Sequence, residues 1–363
     1  MKPILNDTDS FFYMMEDGVT GVFAHTTFMP TPPSPDQEAN VTRKWVQNIA
    51  KGLQALENAG ARRLVLDLSG NGGGLVAYGW HLMNYLFPHG NLKPLEYAFP
   101  LTPEINRIFE NTTVAAKFFN GYRNLHGALI QNLTMELAAP GTKLIKGLST
   151  PFTNHFLMDF DLTLKKSNMS TFSDFGSLKR AWDPKNVILL SNGLCGSTCA
   201  QFTTILRDQL RVRSVTYGGG NKRSKKGTRA FDGTSFAAGF IKKIIDIMIL
   251  LSSTESEGLV DPPFWFNIDS QITFATSFSK AGKLPEVPIE WVVDTSDFWL
   301  NSSDLTLDNP ESVYKAVLDA KIFSSEHGST RTKAFRKVKS NKKQAWHRHH
   351  HAVDARNGKG VGH

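Results

Sequence analysis

Two stretches of the chain are apolar without alternation and then break off into small and polar residues. Leu64-Val-Leu66 runs through Asp67 and Leu68 into Ser69-Gly-Asn-Gly-Gly-Gly74, and Val187-Ile-Leu-Leu190 stops at Ser191-Asn-Gly193. Unbroken apolar runs of this length are the pattern of strands buried on both faces. Beyond each break the period becomes helical: Val76 to Phe87 in the first case, and Ala200 to Leu210 in the second, with Phe202, Ile205 and Leu206 on one face. Upstream, Gly18 to Phe28 reads as a strand and Pro30 to Asp36 as a proline-rich loop. Glu38 to Ala59 follows as an amphipathic helix, with Trp45, Ile49, Leu53 and Leu56 on its apolar side. Strand, helix and strand in that order form a β-α-β unit with parallel pairing.

After the second helix, Val212 to Tyr217 is a strand leading into Gly218-Gly-Gly220. Phe231 to Gly239 reads as a hairpin followed by a helix to Leu251, and Phe264 to Thr273 and Val287 to Val293 as closing strands. The α/β succession is interrupted from about residue 88 to 183, a region rich in aromatics and punctuated by Pro94, Pro100, Pro103, Pro140 and Pro151. Asn111 to Phe119 has a helical pattern there and Met158 to Leu164 that of a short strand, so the region reads as a helical insertion lying over the site, or alternatively as a scaffold or dimer surface. The expectation is an α/β domain over residues 1–324, then a polar, basic and His-rich tail at 325–363 that is disordered.

Charge alters little in this picture. The tail from Ser325 carries ten lysines and arginines against Glu326 and Asp354, which accounts for the whole formal charge of +8. The body is neutral overall, so an electrostatic nucleic-acid binder is excluded. Ile244 to Leu251 is too short to span a bilayer and is interrupted by Asp246, so no membrane span is expected. No secretory signal heads the sequence, yet Asn-x-Ser/Thr sequons stand at Asn6, Asn40, Asn111, Asn132, Asn168 and Asn301, which points to an exported glycoprotein lineage. The two cysteines, Cys195 and Cys199, flank Ser197. They leave two readings open, a disulfide bracing the turn or two buried thiols. Two cysteines alone make a poor zinc site, and no metal or organic cofactor is expected.

Ser197 falls at the second strand-to-helix turn among small residues, where the first helix amides lack partners. A hydroxyl nucleophile beside an oxyanion site needs that arrangement, while an ordinary helix N-cap uses the same residue types. The glycine turn at 72–74 lets backbone amides approach a ligand, but it lacks the Lys-Ser/Thr ending of a P-loop and the glycine spacing of a dinucleotide site.

Asp67, Asn71, Gly73 and Gly74, followed by Ser197 after a later strand, resemble the tail-specific (C-terminal processing) serine peptidases. The Cys-Gly-Ser-Thr-Cys surround and Pro288-Ile-Glu-Trp291 suit their fungal branch, related to the chlamydial protease-like activity factor. The resemblance implies a crotonase-like core and hydrolysis of polypeptide substrates through an acyl-enzyme on Ser197. It implies oxyanion donors at Gly73, Gly74 and Thr198, with Asp67 and Asn71 shaping the glycine turn. For the general base two sources stay open. Chlamydial-type relatives take a histidine from a segment ahead of the strand matched by Gly18 to Phe28, so this sequence is expected to be truncated or inactive. Bacterial relatives use a lysine about twenty-five positions after the serine, a spacing met by Lys222. Glu290, or Glu286, would be the carboxylate. His25 is expected to be structural, and His81 and His89 have no motif behind them.

Two other readings compete. One is a catalytically dead relative that binds peptides in the same groove. The other is a crotonase-type acyl-thioester enzyme, which would use the glycine turn but has no need of Ser197. The family's full-length members are expected outside the cell; oligomeric state is open.

Overall fold

The two unbroken apolar runs become adjacent parallel strands at the centre of a sheet. The computed structural model describes residues 1–7, 9–30, 38–100, 129–130, 140–141, 152–153, 155–161, 169–218, 238–240, 271–273, 276–282, 287–291, 296–300, 309–320 and 322–324. In chain order the elements that matter are β1 (Lys2–Asn6), β2 (Ser10–Met14), β3 (Thr20–His25), α1 (Glu38–Asn58), β4 (Arg63–Asp67) and α2 (Val76–Leu86). They continue with β5 (Val187–Ser191), α3 (Thr198–Gln209), β6 (Arg213–Tyr217), β7 (Phe298–Leu300) and α4 (Pro310–Asp319).

These seven strands form one sheet in sequence order, β1 to β7. β1, β2 and β3 are antiparallel, whereas β3 to β7 run parallel. Register aligns Phe23 with Leu66 and Leu66 with Leu189, so the central rows are continuous hydrocarbon. Leu64, Val65, Leu66 and Val187 to Leu190 are fully buried, as a sheet covered on both faces requires. Burial of each such side chain stabilises the fold by about 1.5–3 kcal/mol.

α1 joins β3 to β4 and lays Trp45, Ile49, Leu53 and Leu56 into the core, all four buried. It also passes close to the antiparallel strands: a Cβ at Gly52 would collide with the Phe12 ring, so the absence of a side chain there sets the depth of the helix. Phe12 in turn stacks on Phe23, with ring centroids 4.6 Å apart.

One element lies outside the sequence expectations and one expected strand needs correction. The β1–β2 hairpin was not read from the sequence at all. In β2 Ser10, Phe12 and Met14 alternate inward, but β1 is a largely exposed edge strand containing Pro3, which gives almost no periodic signal. Val287 to Val293 is not a strand in the residues described: Ile289–Trp291 forms a 3₁₀ turn after Pro288, and Phe298–Leu300 takes the sheet edge beside β6 instead. Asp297 fixes that edge by accepting the Ser214 amide at 2.9 Å and its hydroxyl at 3.0 Å. Within 88–183 the described residues hold short strands at Glu96–Ala98, Phe152–Thr153 and Met158–Asp159 and a 3₁₀ turn at Phe172–Phe175; Asn111 to Phe119 lies outside them.

The chain divides into two compact units, Met1–Val317 and Leu318–His363. In the second the described residues are a helix end and the 3₁₀ turn Ile322–Ser324, and the tail from Ser325 lies outside them. Among the described residues no helix is long and apolar enough to cross a membrane.

Candidate active site

The ends of β4 and β5 lie side by side, so the two strand-to-helix turns meet. Asn71 and Cys195 form a parallel bridge, and the Gly196 amide donates to the Asn71 carbonyl at 2.9 Å. Asn71 is fully buried, and its side chain works in two directions. Its amide group donates to the His25 carbonyl at 2.9 Å, and its oxygen accepts the Gly73 amide at 2.8 Å. Asp67, one strand position from the turn, accepts the Ser69 amide at 2.9 Å and the Ser69 hydroxyl at 2.5 Å. The Tyr314 hydroxyl, from α4, donates to the other Asp67 oxygen at 2.8 Å. Burial pushes the Asp67 carboxyl above its ordinary pKa, against the pull of the Ser69 and Tyr314 hydrogen bonds. Asp67 and Asn71 thus shape the turn, as the sequence suggested.

The glycines are there for contact. A Cβ on Gly73 would lie 2.7 Å from the Ser197 Cβ and 2.9 Å from the Thr198 nitrogen, and its φ of +104° is one that a side chain rarely permits. Gly74 bridges Phe28: the Phe28 amide donates to the Gly73 carbonyl at 2.8 Å and the Leu75 amide to the Phe28 carbonyl at 3.2 Å. That bridge leaves the Gly74 amide unused, while its carbonyl accepts the Thr198 hydroxyl at 2.6 Å. Of the three amides expected to serve as oxyanion donors, that of Gly73 is donated to the Asn71 side-chain oxygen, while those of Gly74 and Thr198, the first of α3, flank Ser197 at the same turn.

Ser197 occupies the N-cap position of α3 with φ +48° and ψ −118°, and its side chain makes no capping hydrogen bond. The ordinary N-cap has extended backbone and a hydroxyl turned onto the helix amides. Ser197 has neither. A non-glycine residue in this region stores about 1–3 kcal/mol of strain and persists only where its surroundings hold it. A serine on a strained strand-to-helix turn is the geometry that projects a nucleophilic hydroxyl above a sheet. Cys195 and Cys199 are joined in a disulfide across it, their Cα atoms 5.2 Å apart.

The other proposed site residues are placed unevenly. Lys222 and Glu286 lie outside the described residues. Glu290 is there: its Oε1 accepts the Ser277 amide at 3.0 Å, and burial pushes its carboxyl up to about 7. It does not reach Ser197 directly. Its charge acts on Tyr97, whose hydroxyl, already raised by burial, donates to Gln201 Oε1 at 2.8 Å. Gln201 stands one turn beyond Ser197 and donates its own amide to the Ser197 carbonyl at 3.1 Å. Tyr97 and Gln201 were missed in the sequence. Helical spacing from Ser197 could have signalled Gln201, whereas nothing local marks Tyr97. Both line a narrow cleft between α2 and α3, with Val76, Trp80, Thr198 and Phe202, and the buried Gln201 Nε2 has no partner there.

None of the described histidines has the character of a base for this serine. His25 is fully buried among Phe23, Phe28 and Trp45, shares a 3.2 Å contact with the Ser10 hydroxyl, and is driven by burial to a pKa of about 3. His81 lies 3.3 Å from Asp161, with burial lowering its pKa. His155 Nδ1 lies 2.9 Å from Glu96, which Lys280 also contacts; strand alternation puts Glu96 on the face opposite Tyr97 and Gln201. His89 is exposed. Among the described residues no cluster of His, Cys, Asp and Glu could hold a metal ion.

Comparison with known proteins fits these turns. The family model for peptidase family S41 matches residues 33–244, over half of the chain and both turns. The chain belongs to peptidase family S41. It is 25% identical to the peptidase S41 family protein ustP of Aspergillus flavus over 368 aligned residues, covering 88% of this chain and 73% of that one. A peptidase S41 family protein of Diaporthe leptostromiformis, phomP1', is 26% identical over 200 residues, 49% of this chain and 28% of its own length. Among solved structures, mature CPAF superposes with a TM-score of 0.44 at 16% identity, over 90% of this chain and 57% of that chain. This S41 chain therefore spans less than two thirds of mature CPAF, and its own architecture is mixed α/β around a central sheet.

Proposed function

We propose that this S41 domain is a serine-type endopeptidase that hydrolyses polypeptides through an acyl-enzyme on Ser197. One observation carries the reading: Ser197 starts a helix with a left-handed backbone and no capping bond, pressed against a glycine turn. In the proposed reaction the Ser197 oxygen attacks the peptide carbonyl carbon and its proton passes to a base. The oxyanion is met by the amides of Gly74 and Thr198. Collapse expels the amine, which takes the proton, and water then releases the acid by the same route. Lys222 is the candidate base within this chain. Glu290 acts on the helix of the nucleophile through Tyr97 and Gln201.

The core is proposed to be crotonase-like, with polypeptide as the partner and neither nucleic acid nor a cofactor required. The disulfide and the sequons favour an oxidising, extracellular setting. A catalytically dead peptide-binding relative is the second reading, favoured by the engagement of His25, His81 and His155 elsewhere. Labelling with a fluorophosphonate probe tests the choice. Modification abolished by Ser197→Ala supports the peptidase; a folded wild-type chain that does not react supports the binding protein.

A further inference from the structure

We propose that the Cys195–Cys199 disulfide is a positioning element for Ser197, and that the hydroxyl becomes competent only once this bond has formed. The inference rests on the reading of Ser197 as the nucleophile and adds a maturation step to it.

The cross-link closes a five-residue loop with Ser197 at its middle. One end is pinned to the sheet, through the Cys195–Asn71 bridge and the Gly196 amide on the Asn71 carbonyl. The other end is pinned to the helix, where the Cys199 amide donates to the Gly196 carbonyl at 2.9 Å and the Thr198 hydroxyl reaches Gly74. These bonds hold the flanks but none of them acts on the φ of Ser197 itself. A serine at a helix start has a lower-energy alternative, with extended backbone and its hydroxyl bonded to an amide of the first turn. That state buries the nucleophile in a cap. The disulfide ties strand side to helix side across this one residue and opposes the relaxation.

Loop length supports a local role. In the chain-entropy picture a cross-link stabilises the whole fold least when it closes the shortest loop, so this one does little for global stability. Both cysteines are fully buried, so the bond is set during folding and is not toggled afterwards. Formation removes two protons and two electrons from the thiols. A small-molecule disulfide such as oxidised glutathione accepts them by exchange through a mixed disulfide and leaves as two thiols. The hydroxyl would then be withheld in a reducing compartment and presented in an oxidising one.

The test compares the full chain refolded with a glutathione redox pair and refolded with excess reductant. Thermal melts establish that each is folded, and fluorophosphonate labelling is timed well below both transitions. The oxidised form is expected to label at least about tenfold faster, the scale of the strain to be held, with unfolding of the reduced sample and refolding under the glutathione pair restoring the rate. Equal rates overturn the proposal. Carbon chemical shifts of selectively labelled serine give a readout independent of turnover: Ser197 should move from left-handed to capping values on reduction, and an unmoved signal overturns it. If the reduced chain does not fold, Cys195→Ala with Cys199→Ala replaces it in both measurements. Labelling by neither form, with the shift change intact, removes the nucleophile reading alone and leaves the positioning device standing.

Discussion

The turns after β4 and β5 are the same supersecondary unit, a buried parallel strand running into a helix, built side by side. They differ in where the polar groups go. After β4, Asp67 and Asn71 are turned inward and spent on Ser69, Tyr314, His25 and Gly73. After β5, buried Ser191 and exposed Asn192 are likewise spent on Gly193, Leu194 and Gly70, but Ser197 does not cap the helix that it starts. The first turn is scaffold in all its polar residues. The second is scaffold up to Gly196 and then departs from the local rule, at the residue where chemistry is proposed. A residue that declines its obvious local bond, beside a turn whose polar side chains are paired, is a sharper pointer to function than a residue type.

The comparison can be broken most severely at the contact between the turns. Gly73→Ala puts a methyl against Ser197 and Gly196 at a positive φ, and should destabilise the domain by about 3 kcal/mol or more in denaturant titration while abolishing labelling. Asn71→Ala leaves a buried carbonyl and a buried amide without partners, with an expected loss of about 2–4 kcal/mol. A cost near zero would mean that the first turn is not held by this side chain.

Two pH arms distinguish the layers on either side. The folded pKa of His25, about 3, lies below its ordinary 6.5, so between those values the unfolded chain binds more protons and stability is lost as pH falls. His25→Phe should flatten that acid arm. The folded pKa of Glu290, about 7, lies above its ordinary 4.5, so the native state holds the extra proton and stability falls as pH rises from 4.5 to 7. Glu290→Gln should remove that slope. An unchanged melting profile in either variant would refute the burial assigned to that group.

The smallest effect sharpens the comparison most. Ser197→Gly relieves the positive φ and should raise stability by about 1 kcal/mol while eliminating labelling. Loss of stability instead would show that Ser197 is a structural cap after all.

Much of this was legible in the chain. Unbroken apolar runs at Leu64 and Val187 and the amphipathic stripe of α1 determine the central strands and the helix between them, because burial on two faces or on one leaves different periods. The small residues around Ser197 and the triple glycine marked the site, since close approach of two backbones excludes side chains. What the sequence did not carry was pairing at a distance. β1 has too little buried surface to announce itself, and β7 reaches the edge only because Asp297 meets Ser214. Tyr97 joins Glu290 to Gln201 across 104 residues from one side. The Gly73 amide pairs with the Asn71 side-chain oxygen, a bond set by how the turn closes. The left-handed backbone of Ser197, too, was decided in three dimensions: local preference alone makes a serine at a helix start an ordinary cap, and only the packed turn and the cross-link hold it otherwise.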